Sequence, residues 1–156
     1  MSYEPVTPKL ERLFRAVVEI AAPMSVGPTP LGERRIIPIT GGHFAGEKLA
    51  GEVLPGGADW QIVRSDGTAL LEARYTLRTR DGALVYVRNR GVRTGPPEVL
   101  AQLARGEEVD PAFYYFRTVP QFETGAPQYA WLNDLLAVCS ASRAARVVTL
   151  DFFAVR

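Results

Sequence analysis

Residues 59–90 read DWQIVRSDGTALLEARYTLRTRDGALVYVRNR. Apolar and polar residues alternate on both sides of Asp66-Gly67 and again on both sides of Asp81-Gly82, the pattern of two tight hairpins. The segment is therefore expected to form three consecutive strands of an antiparallel meander. A two-residue loop at each turn pairs Ser65 with Thr68 and Arg80 with Ala83. Counting outward sets Gln61 opposite Glu72, Asp59 opposite Arg74, and Arg74 opposite Asn89. Asp59, Arg74 and Asn89 then form one polar row, on a face shared with Glu72, Thr76, Val85 and Val87. Trp60, Ile62, Leu71, Tyr75, Leu77, Leu84 and Tyr86 take the other face. A polar face of this kind is either the solvent side of a sheet or the lining of a barrel that holds a polar ligand. A G1 bulge at either turn would slip one strand by a residue and dissolve the row.

The same short alternating runs recur along the chain, at Leu10–Ile20, Arg34–Ile39, Lys48–Leu54, Phe113–Phe122, Tyr129–Val138 and Arg146–Val155. With Asp59–Arg64, Ala69–Thr79 and Leu84–Arg90 they predict an all-β chain, a closed antiparallel up-and-down barrel of about eight strands. One short helix is expected near 97–105, where Thr94-Gly95-Pro96-Pro97-Glu98 supplies a cap, early prolines and an acidic first turn, and Gly106 a stop. Gly41-Gly42-His43-Phe44-Ala45-Gly46 matches neither nucleotide-binding glycine spacing and reads as a turn.

At 156 residues the chain suits a single domain spanning 1–156. Lys plus Arg number 18 against 17 Asp plus Glu, a net charge of +1, which leaves no excess of cations for phosphates and argues against nucleic-acid binding. No apolar run is long enough for a helical membrane span, and the N-terminal residues lack signal-peptide character, so a cytoplasmic protein away from membranes is expected. One cysteine, Cys139, and one histidine, His43, cannot assemble the usual zinc sets, and neither a metal nor another cofactor is expected. His43 in a glycine-rich stretch reads as a surface residue, and Cys139 in Leu135-Leu136-Ala137-Val138-Cys139 as a buried thiol. No Gly-x-Ser-x-Gly elbow occurs.

The stretch 113–124 is dense in aromatic residues, and Tyr129, Trp131 and Asn133 follow across a short loop. If that loop keeps even register, Phe122 faces Tyr129 and Thr118 faces Asn133, which would form a rim of rings and polar groups suited to a small organic ligand. Plain core packing explains the same residues.

An ordered series of motifs runs through the chain: Gly41-Gly42 with Phe44 and Gly46, then Gly51-Glu52-Val53-Leu54-Pro55-Gly56-Gly57-Ala58-Asp59-Trp60, then Asp66-Gly67-Thr68 leading to Ala73-Arg74-Tyr75. It continues through Asp81-Gly82-Ala83, Asn89-Arg90-Gly91, Tyr115-Phe116-Arg117-Thr118, Phe122-Glu123-Thr124 and Tyr129-Ala130-Trp131-Leu132-Asn133. Over nearly its whole length the sequence resembles a bacterial and fungal family, domain-of-unknown-function family 3237, also called uncharacterised protein family 0311. The resemblance implies an eight-stranded β barrel, transfers no activity, and favours the pocket-lining alternative for the polar row.

The expected function is binding of a small oxygen-rich or aromatic organic molecule, with cofactor-independent acid–base chemistry of isomerase, cyclase or lyase type. Arg74, Asp59 and Glu72 are the candidate catalytic residues: Arg74 would bind an anionic oxygen, and the two carboxylates would hold it and exchange protons. Trp60, Asn89, Tyr115, Arg117, Glu123, Tyr129, Trp131 and Asn133 are the candidate ligand-binding residues. The rival reading is a non-catalytic carrier or sensor, a third is a purely structural barrel, and carboxylate–arginine rows serve all three; the partners expected are a small organic ligand and a second copy of the chain in a homo-oligomer.

Overall fold

The computed structural model describes all 156 residues. Ten strands form one sheet: β1 (Leu10–Ile20), β2 (Met24–Thr29), β3 (Gly32–Ala45), β4 (Ala50–Val53), β5 (Gly57–Val63), β6 (Ala69–Thr79), β7 (Leu84–Thr94), β8 (Tyr115–Glu123), β9 (Leu136–Arg143) and β10 (Val147–Val155). β1 pairs with both β10 and β3, which closes the sheet on itself. β4 and β5 both lie between β3 and β6 and act as one strand interrupted at Leu54-Pro55-Gly56. The barrel therefore has eight strand positions, with β2 folded against the outer part of β3. Helix α1 (Pro97–Ala104) forms where the prolines and Glu98 predict it. No helix is long and apolar enough to cross a membrane.

Both Asp-Gly turns differ from the expected two-residue loops. Gly67 N–H donates to the Arg64 carbonyl and Arg64 N–H to the Thr68 carbonyl; Gly82 and Thr79 N–H groups make the equivalent bonds to Thr79 and Ala83. Each loop is thus three residues, a type I turn closed by a glycine at positive φ, +84° at Gly67 and +88° at Gly82, which is the G1-bulge geometry. Side chains favour it: Asp66 accepts the Thr68 N–H at 3.0 Å, and the Thr79 hydroxyl accepts the Ala83 N–H at 2.9 Å. The extra residue slips each register by one, so Asp59 pairs with Ala73 and Ala73 with Asn89, while Arg74 pairs with Ala58 and Arg88. The expected Asp59–Arg74–Asn89 row does not exist.

Three further expectations are corrected. Gly41-Gly42 is not a turn but part of β3, and at Gly42 the β1 backbone runs too close for a side chain. The strand expected from Tyr129 starts only at Leu136, because Pro127–Asp134 winds into a 3-10 segment. Asn133 locks that segment: its amide oxygen accepts the Thr124 N–H and its amide nitrogen donates to the Thr124 carbonyl, both at 2.9 Å. Consequently Thr118 faces Cys139, not Asn133.

Inside, one end of the barrel is filled by rings. Phe14 stacks on Phe152 with centroids 4.3 Å apart, and Phe44 and Phe122 pack tilted against Phe14 at 5.3 and 6.1 Å. Leu132, from the 3-10 segment, is buried in the same core cluster. The other end carries the polar residues.

Candidate functional site

The slipped register settles which face of the meander lines the barrel. Leu71, Ala73, Tyr75 and Leu77 of β6 and Val85, Val87, Asn89 and Arg93 of β7 point inward, in step with Asp59 and Gln61 of β5. Glu72 and Arg74 point outward, where they pair with each other at 3.0 Å and the Arg74 side chain is 50% exposed. Trp60 also faces out, at 46% exposure. Of the row expected from sequence, the structure brings Asp59 and Asn89 together inside and leaves Arg74 on the surface; Glu72, expected on the same face, and Trp60, expected on the other, lie outside with it.

The aromatic candidates do not reach the interior either. Tyr115 is exposed and lies under the Arg117 guanidinium at 5.5 Å, and Glu123 is exposed. The Tyr129 hydroxyl donates to Asp81 at 3.0 Å, Lys48 sits 5.4 Å from the Trp131 ring, and Asn133 is the loop lock described above. Glu123, Tyr129, Trp131 and Asn133 dress the ring-filled end, whereas Tyr115 and Arg117 lie on the outside near the Arg93 end. His43 is exposed on β3 and does not line the cavity, and burial pushes the Cys139 thiol up to about 12, so that thiol offers no nucleophile at neutral pH.

A cavity of about 60 Å³ lies in the polar half, with Asp59, Tyr75, Asn89, Arg93, Thr118 and Arg143 on its wall among aliphatic side chains. That is room for a few waters or the small end of a ligand. Asp59 is 8% exposed, and its two oxygens are committed: one accepts the Glu72 N–H at 2.9 Å, the other the Gln61 amide at 3.1 Å. The β5–β6 ladder lapses between the Asp59–Ala73 and Ile62–Leu70 pairs, and the carboxylate fills that lapse. On the same wall are side-chain atoms without a well-formed hydrogen bond, namely the Tyr75 hydroxyl and the Asn89 amide oxygen, which lie beside each other, the Thr118 hydroxyl beside the Cys139 thiol, and Arg93 Nη1. Native interiors leave few such atoms unpartnered, and several around one hollow mark a place where a polar guest belongs.

Burial raises the Asp59 carboxyl above the ordinary carboxylate value of 3.8, although two hydrogen bonds and the positive charge of Arg93 and Arg143 oppose the shift. A raised acid pKa contributes stability that is present at low pH and lost as pH rises through it. An Asp59→Asn variant is therefore expected to match wild type near pH ~3 and to gain on it toward pH ~7, as urea denaturation at both values would show. The amide introduced by that substitution can still accept the Glu72 N–H, and a flipped Gln61 amide can accept from it through Oε1, which is unpartnered now.

Arg93 and Arg143 escaped the sequence reading, whereas Tyr75 was expected on the apolar face and Thr118 in a rim opposite Asn133. A signal was present. The inward stripes Val85-Val87-Asn89, Ala137-Cys139-Ala141 and Ile37-Ile39 each run into an arginine at the same barrel end, Arg93, Arg143 and Arg35. An arginine in phase with a buried apolar stripe is rarely there for packing alone.

The sequence profile described as "Protein of unknown function (DUF3237)" matches residues 8–155. A UPF0311 protein of Rhodopseudomonas palustris is 51% identical over 148 residues, covering 94% of this chain and 97% of that one. The crystal structure of a Rhodopseudomonas palustris protein of unknown function superposes with a TM-score of 0.92 at 48% identity, covering 98% of this chain and 100% of that one. More distantly, the PR-toxin biosynthesis cluster protein 7 of Penicillium roqueforti is 25% identical over 81% of this chain and 78% of its own. An enzyme from Penicillium herquei shares the fold over 100% of both chains, with a TM-score of 0.73 at 22% identity. The chain, with its closed barrel and its profile match over nearly every residue, belongs to the DUF3237 (UPF0311) family.

Proposed function

We propose that the polar half of the barrel binds a small oxygen-rich or aromatic organic molecule and performs cofactor-independent acid–base chemistry on it, of isomerase, cyclase or lyase type, with Asp59 as the proton-transfer group. The carrying observation is that a buried carboxyl with a raised pKa opens on the same cavity as two arginines and four polar atoms without a well-formed hydrogen bond. A carboxyl moved toward neutral pH is matched to general acid–base work. Arg93 and Arg143 supply fixed positive charge for an oxyanion that develops as the proton moves, and Asn89 and Thr118 are placed to orient the guest. The cavity offers one carboxylate, no imidazole and no accessible thiol, which favours chemistry without a metal. That barrels of this shape can be enzymes is illustrated by the Penicillium herquei protein, and the Penicillium roqueforti relative is named for a biosynthetic cluster.

The test is nuclear magnetic resonance in D2O with a panel of small carbonyl and phenolic compounds. Wild type is expected to bind members of the panel and to convert them or exchange solvent deuterium into their C–H positions. Asp59→Asn should bind them and lose the exchange by about 100-fold or more. Binding without exchange or conversion would make the barrel a carrier, and no binding within the barrel would remove the site.

A further inference from the structure

Arg93 is 8% exposed, its guanidinium lies 5.5 Å from the Phe116 ring, and its Nη1 has no partner. Arg143 is half-buried; its Nε donates to the Ala144 carbonyl at 2.9 Å, and its backbone N–H donates to the Tyr114 hydroxyl. Neither forms a salt bridge, although Glu11, Glu52, Glu72, Asp66, Glu107 and Asp151 all do so with other cations. Arg143 and Arg35 add repulsion to the burial of Arg93, and together these push its pKa down to about 10. Asp59 is the one acidic group on the cavity wall, and both its oxygens are already engaged. The barrel end therefore holds positive charge with too little negative charge to meet it.

These two arginines also line a second, larger hollow of about 630 Å³, bounded by α1, the turn at Ser65-Asp66-Gly67, the start of β3 and the β9–β10 turn. They are the partition between that vestibule and the inner cavity. The other charges of the vestibule do not neutralise them. Glu33 accepts the Ser25 hydroxyl at 2.9 Å and makes no ion pair with either arginine, Asp66 pairs with Arg64 at 3.0 Å, Arg105 pairs with Glu107, and Arg35 adds a further cation. Two forked, weakly hydrated cations behind a narrow apolar cavity suit a planar monoanion, for which a guanidinium makes two parallel hydrogen bonds.

We infer that the ligand is a small organic carboxylate, its acid group seated between Arg93 and Arg143, the atoms next to it reaching Asp59 in the inner cavity, and any larger body lying in the vestibule beneath α1. This rests on the proposed site and deepens it by naming the ligand class. The acid fills the missing charge, and the roughly tenfold difference between the two hollows decides which part of the molecule goes where.

Calorimetric titration of the full chain with acetate, pyruvate and benzoate, each against its amide and against inorganic phosphate, tests this. The acids should bind at least ~10-fold more tightly than the amides, and more tightly than phosphate. Arg93→Met and Arg143→Met should each weaken the acids by at least ~30-fold, and Arg74→Met, on the outer face, should leave binding unchanged. The acid–amide comparison uses wild type alone and decides even if a variant fails to fold. Amides that bind as tightly as acids, with affinity untouched by Arg93→Met, would overturn the carboxylate while leaving a site for neutral molecules. Preference for phosphate would overturn it also. Failure of acids, amides and phosphate alike to occupy the barrel would remove both this inference and the site.

Discussion

Arg93→Met is expected to melt at a higher temperature than wild type while losing affinity for acids. A buried cation left without a counter-ion or a full set of acceptors destabilises a fold by about 1–3 kcal/mol or more, and Arg93 is both almost fully buried and missing a partner at Nη1. Methionine retains most of the stem volume, and its sulfur can replace the guanidinium against the Phe116 ring. At about 2–4 °C per kcal/mol for a chain of this size, the gain should be several degrees by calorimetry. A stabilised variant that no longer binds is the behaviour of a residue kept for function at the expense of stability. A lower melting temperature would instead mean that Arg93 supports the fold through contacts other than those described above.

The second large effect concerns barrel closure. Gly42 sits at φ +135° in β3 opposite Val18 of β1, and a Cβ there would fall 2.1 Å from the Val17 carbonyl oxygen. The obstacle is backbone on the neighbouring strand, so no side-chain rotation can relieve it, and the positive φ adds strain for any residue with a Cβ. Gly42→Ala should lose more than ~4 kcal/mol or fail to accumulate as folded protein, because the β1–β3 seam is where the sheet closes. Gly125→Ala is the control, since open space surrounds that position and its φ is not positive. Near-ultraviolet circular dichroism and urea denaturation separate the two, and a Gly42→Ala protein as stable as wild type would contradict this reading of the seam.

The alternation in 59–90 was enough to identify three strands, two hairpins and an all-β barrel, because period two is a local property of the sequence. The phase was not. Asp-Gly serves both a two-residue loop with two positive-φ residues and a three-residue loop with a G1 glycine, and the choice moves every side chain of the partner strand to the other face. That single ambiguity, repeated at Gly67 and Gly82, carried Arg74 and Glu72 outside and left Asp59 and Asn89 within. Tyr129, Trp131 and Asn133 were misplaced for another reason: the lock between Asn133 and Thr124 depends on nonlocal loop geometry that alternation does not encode. Arg93 and Arg143 could have been found by extending the inward stripes to the strand ends once the phase was right.

The central claim, that the polar half of the barrel is a ligand site organised by Asp59, Arg93 and Arg143, is tested most directly by a crystal structure of the protein grown with benzoate. Density for the carboxylate is expected within hydrogen-bond distance of the Arg93 and Arg143 guanidinium groups, with the ring carbon that bears it on the side facing Asp59. Density confined to the ring-filled end near Tyr129 and Trp131, or an inner cavity holding only water with Arg93 paired to a protein carboxylate, would contradict it.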